Sequence, residues 1–168
     1  AKRLGGESYH DSFGLGEDKK SVCAHNSTEE EDKAQYGGTG MMAFGVFSSY
    51  IRPIIEDPDK CIDRRGLGSY CSLVTKGESG KVVRIVTFYR PSDQSRHKLL
   101  SRKGRRTVFA QHKRAFKLAG TPDLDPRMEA NKCLVEDLKR WTSQGEEIIL
   151  LGDFNKCIYT SDLAKTLT

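Results

Sequence analysis

A chain of 168 residues, 36% hydrophobic and 30% charged with a net charge of +5, is long enough for one domain with its own core and is not disordered by composition. No apolar run approaches membrane-spanning length, and no charged-then-apolar leader precedes a small-residue cleavage site. The expectation is an intracellular protein, nuclear or cytoplasmic, with no membrane partner. The five cysteines (Cys23, Cys61, Cys71, Cys133, Cys157) are odd in number and never fall as C-x-x-C, which argues for reduced thiols and against a disulfide framework or a zinc site.

Residues 1–34 show no clear period and many polar residues, including the acidic knot Glu29, Glu30, Glu31 and Asp32. They read as a loosely ordered segment with one short strand near Ser21–Ala24, and His10 and His25 read as solvated side chains. A domain is expected over 35–168. Its first strand, at about 39–46, is expected to be buried and follows Gly37-Gly38-Thr39-Gly40. Those glycines fit close strand packing, since neither a P-loop nor a dinucleotide fingerprint is present.

The stretch 67–75 and the run Lys81-Val82-Val83-Arg84-Ile85-Val86-Thr87-Phe88-Tyr89, separated by a Lys76–Gly80 turn, predict a hairpin that stops at Arg90-Pro91. A helix is expected at roughly 105–118, with Val108, Phe109, Ala115 and Phe116 towards the core. Asp125-Pro126 then supplies an N-cap and first helical residue, and Ala130, Leu134, Leu138 and Trp141 follow helical spacing as far as Gly145. Trp141 reads as a core anchor.

Ile148-Ile149-Leu150-Leu151, bounded by charge and by Gly152, predicts a strand buried on both faces. Period-two alternation sends Asp153 and Asn155 to one side of its exit. A turn and a functional site fit these two residues equally well. Together the elements predict a mixed α/β sandwich, with Tyr89 and Asp153 at strand exits on one rim.

Charge is uneven. From Arg90 to Lys117, Arg90, Arg96, Lys98, Arg102, Lys103, Arg105, Arg106, Lys113, Arg114 and Lys117 face only Asp93. A polyanion partner and a solvated basic face are the two readings. His97 and His112 read as solvated surface, and Cys157 as a structural thiol because nothing marks a base beside it.

The Gly37-Gly38-Thr39-Gly40 strand, the hairpin closing in Thr87-Phe88-Tyr89-Arg90-Pro91, the helix ending in Trp141 and Gly152-Asp153-Phe154-Asn155 occur in the order found in the endonuclease/exonuclease/phosphatase superfamily, which this chain resembles over roughly 35–158. That superfamily includes DNase I, apurinic/apyrimidinic endonucleases and the endonuclease domains of non-LTR retrotransposons, and the retroelement type looks closest. The resemblance implies a four-layer α/β/β/α sandwich and metal-dependent phosphodiester hydrolysis. It assigns Asp153 to the attacking water, Asn155 to the scissile phosphate or a metal-bound water (and so makes it a candidate metal ligand), and Tyr89 to the phosphate.

Mg²⁺ or Mn²⁺ is the implied cofactor. Nucleic acid, DNA in the first instance, is the implied partner, held by Arg90, Arg96, Lys98, Arg102, Lys103, Arg105 and Arg106. Two marks of the family are missing: Glu7 and Glu17 are poor matches for its metal-binding glutamate, and Ser161-Asp162 is followed by Leu163 where an Asp-His pair is expected. The resemblance therefore implies a partial domain, weak or inactive alone, with exposed edges and apolar surface. A phosphatase or phospholipid hydrolase of the same superfamily and a non-catalytic nucleic-acid-binding fragment are the alternatives.

Overall fold

Residues 81–89 are rich in β-branched and aromatic residues, and the strand they form is the middle one of its sheet. The structure is a computed structural model that describes residues 19–24, 38–51, 63–76, 79–92 and 107–155. Their elements are β1 (Lys19–Ala24), β2 (Thr39–Phe44), α1 (Val46–Tyr50), β3 (Tyr70–Lys76), β4 (Val82–Tyr89), α2 (Val108–Leu118), α3 (Pro126–Ser143) and β5 (Glu147–Asp153). The protein is mixed α/β. A three-stranded sheet runs β3-β4-β5, with β3 antiparallel and β5 parallel to β4, and β1 pairs with β2 in a two-stranded antiparallel sheet.

On β4, Arg84, Val86 and Phe88 are buried in alternation and turn towards α3. Val86 and Phe88, with Tyr70 of β3 and Ala130, Cys133, Leu134, Leu138 and Trp141 of α3, build the main core, against which Ile148, Leu150 and Phe154 pack. Burial of this kind stabilises by roughly 25 cal/mol per Å² of apolar area. Helix α3 starts where its sequence marks it: the Asp125 carboxylate accepts from Arg127 N at 2.8 Å and Met128 N at 3.0 Å, and Pro126 stands in the first turn, where no backbone donor is needed.

The opposite face of β3 presents Cys71 and Leu73 to Ala43, Met41 and Ile51. Ile51, just past α1, also bridges antiparallel to Thr75. The expected buried strand at 39–46 is thus shorter and only half covered: of Thr39–Phe44, Ala43 alone is buried. Helix α1 was not expected.

Helix α2 begins at Val108, where the Thr107 hydroxyl caps Ala110 N, three residues later than its pattern predicts. It seats Ala115 and Phe116 on Leu67, with Leu124 alongside. His112, expected on the surface, is 1% exposed, and its Nε2 lies 3.0 Å from the Leu67 carbonyl. A carbonyl only accepts, so Nε2 carries the proton. The helix face that buries Phe109 and Phe116 takes His112 in with it, and the Leu67 carbonyl accepts from its Nε2–H.

The other departure is β5. Ile149 and Leu151 are 47% and 55% exposed, so the strand is buried on one face, not two. Helix α3 covers Ile148 and Leu150, whereas among the described residues those that cover the sheet's other face pack on β3 and not on β5.

Candidate functional site

The site is built at the common exit of β4 and β5. The parallel register places Tyr89 beside Asp153, and Arg90 N–H donates to the Asp153 carbonyl at 2.9 Å, carrying the ladder one step past the named strands. This approach depends on Gly152. Its φ is 153°, and a β-carbon there would lie 1.9 Å from the Phe88 carbonyl oxygen, closer than any side chain allows. Phe154 then anchors the exit by laying its ring on Phe88, with centroids 5.6 Å apart. Phe154 packs against the α3 core, whereas Asp153 and Asn155 are both exposed.

Among the described residues, Asn155 is the one non-glycine with positive φ, 46°, a conformation that asparagine tolerates better than most. Two hydrogen bonds hold it: its backbone N–H donates to Asp153 Oδ1 at 3.0 Å, and its side-chain Nδ2 donates to the Arg90 carbonyl at 2.6 Å. The nearby Asn155 carboxamide also acts on Tyr89, in the direction that favours the phenolate. Burial is the larger influence on Tyr89 and raises its pKa, the Asp153 charge adds to the rise, and the Asn155 carboxamide opposes both. Tyr89 therefore stays a neutral hydroxyl at neutral pH.

The three residues predicted from the sequence thus meet at one rim. The Asp153–Asn155 contact is an Asx-turn, which needs no function to exist; the addition of Tyr89 distinguishes this rim from a plain turn. Of the seven predicted nucleic-acid contacts, Arg90 lies here, but its side chain is only 9% exposed, so it is not part of an open basic face. Arg96, Lys98, Arg102, Lys103, Arg105 and Arg106 lie outside the described residues, as do His97, Cys157, Glu7, Glu17 and Ser161-Asp162.

No three His, Cys, Asp or Glu side chains gather in metal-binding geometry among the described residues. The rim offers two hard oxygen donors, the Asp153 carboxylate and the Asn155 carboxamide oxygen. Mg²⁺ commonly binds through one or two carboxylates while keeping waters or phosphate oxygens, so this donor set fits weak binding of such an ion.

A second polar cluster lies under α3, away from the rim, and no local pattern in the sequence announces it. Glu129 and Asp137 are buried on one stripe of the helix. Asp137 meets Arg64, Arg140 at 2.9 Å and the Tyr70 hydroxyl at 2.6 Å, while Glu129 meets Arg65 at 2.5 Å. Asp63 folds the loop that leads into β3 by accepting from Leu67 N at 3.0 Å and Ser69 N at 2.5 Å. The cavity between Asp63, Arg65, Tyr70, Glu129 and Cys133 measures about 10 Å³, room for one water and no substrate. Burial, with Glu129 nearby, pushes the Cys133 thiol up to about 11, which makes it unreactive.

The role of the Arg90-Pro91 peptide beside Asn155 was also missed; its only trace in the sequence is the proline directly after the strand end. No family model, curated protein or solved structure matches the chain.

Proposed function

We propose that this chain carries part of a metal-dependent phosphodiester hydrolase of the nuclease type, endonuclease-like and of retroelement character, acting on nucleic acid inside the cell. The observation that supports it is the meeting of Tyr89, Asp153 and Asn155 at one strand exit, where the ladder register and the Asn155 hydrogen bonds hold them. The four-layer sandwich implied by the family belongs to the same proposal, as does a backbone-binding role for the basic residues 96–106.

In this reading the exposed Asp153 carboxylate orients or deprotonates the attacking water, and the Tyr89 hydroxyl, neutral at working pH, donates to a phosphoryl oxygen. Asp153 and Asn155 would hold Mg²⁺, which when bound supplies charge neutralisation at the phosphate. With one carboxylate at the rim among the described residues, metal affinity is weak and turnover by this chain is slow.

Plasmid nicking and DNA binding test the proposal together. Any nicking must require Mg²⁺, stop with EDTA and vanish in Asp153→Ala, and DNA binding must weaken steeply with salt. Nicking that survives Asp153→Ala would overturn the assignment of the rim. Binding that is indifferent to Mg²⁺ and to Asp153→Ala, with no nicking at any Mg²⁺ concentration, would point to a non-catalytic binding module. Preferential release of phosphate from a phosphoinositide, uncontested by short DNA, would point to a phosphatase.

A further inference from the structure

The contact between Asn155 and Arg90 fixes more than a position. A backbone carbonyl only accepts, so the carboxamide nitrogen must face the Arg90 oxygen, 2.6 Å away, and the carboxamide oxygen must turn away from it. The Arg90 carbonyl is itself aimed by its neighbours. Its own N–H is tied to the Asp153 carbonyl at 2.9 Å, and the next residue is Pro91, which is fully buried. A proline ring confines the preceding residue to extended backbone, so Arg90 cannot rotate to swing its carbonyl elsewhere. Pro91 also brings no N–H of its own to compete for that position.

We propose that Pro91 is a positioning residue: by locking the Arg90 carbonyl, it orients the Asn155 carboxamide with nitrogen inward and oxygen outward. The bond also offsets the cost of keeping Asn155 at a φ of 46°. An outward oxygen accepts from a water or a metal-bound water, or ligates a cation directly. That use of the oxygen rests on the hydrolase reading, whereas the positioning role of Pro91 does not.

The test needs neither metal nor nucleic acid. In the ¹⁵N-labelled full chain, the Asn155 side-chain NH₂ pair is identified by its loss in Asn155→Ser. One of its two protons is expected to exchange with solvent at least about tenfold more slowly than in a free asparagine side chain. In Pro91→Gly that protection falls to the free value, while protection of the α3 backbone amides stays within about twofold of wild type. Pro91→Ala, which keeps a β-carbon, is expected to fall between the two.

Unchanged Asn155 protection in Pro91→Gly, or none in the wild type, overturns the proposal. Loss of α3 protection in both variants also overturns it, because Pro91 would then serve the fold as a whole. A positive result alongside a chain that never binds Mg²⁺ would retain the positioning role and remove the hydrolase reading, so the two failures are separable.

Discussion

Gly152 sets how closely β5 approaches β4, and so whether Asp153 sits beside Tyr89 at all. Adding one methyl group forces a clash with the Phe88 carbonyl and keeps a φ that side chains avoid. Gly152→Ala is expected to cost about 3 kcal/mol in urea unfolding and to shift the Asp153 and Asn155 amide signals. A second single-residue prediction concerns Tyr70. Burial, then Asp137 beside it, raises its pKa above the ordinary phenol value. The folded state therefore holds that proton more tightly than the unfolded chain. Its stabilising contribution is complete below about pH 10 and is lost as pH climbs towards the folded value. Stability should hold level from about pH 8 to near 10 and decline above it. Tyr70→Phe should flatten that decline while costing about 1–3 kcal/mol at neutral pH, because Asp137 loses a buried donor.

At the scale of elements, α3 and β5 divide the consequences. Trp141 is 1% exposed under a guanidinium, with Arg84 Cζ 4.3 Å from its ring centroid, so Trp141→Ala should cost about 3–5 kcal/mol by thermal or urea unfolding. On β5 the outcome should alternate. Leu150→Ala, which empties part of the α3 core, should cost about 2 kcal/mol, whereas Leu151→Thr on the uncovered face should change stability by less than about 0.5 kcal/mol. A large loss at Leu151 would mean that this face is covered in solution.

These contrasts also show where the sequence could be read. The hairpin, the Asp125-Pro126 start of α3 and the burial of Trp141 follow from local chemistry: alternation, a capping carboxylate, a helical stripe. The four apolar residues of β5 look the same whether one face or two is covered, because cover is decided by where β2 lands. Asp137 and Glu129 look like surface charges on a helix, because their partners Arg64 and Arg65 lie more than sixty positions earlier in the chain. His112 follows the same logic, with its acceptor at Leu67.

For the whole molecule, the claim at stake is that the exit of β4 and β5 is a cation and phosphate site. Tyr89, Asp153 and Asn155 were visible as candidates because each ends or follows a strong strand signal. That Tyr89 and Asp153 would be direct neighbours required the parallel pairing across the α3 crossover, which no local pattern specifies. The measurement that tests the claim most directly is an Mg²⁺ titration of the ¹⁵N-labelled chain, wild type beside Asp153→Ala. The account predicts saturable shifts confined to Tyr89, Arg90, Asp153 and Asn155, weak in affinity and absent from the variant. Shifts that survive in Asp153→Ala, or that fall elsewhere and leave this rim unmoved, would contradict it.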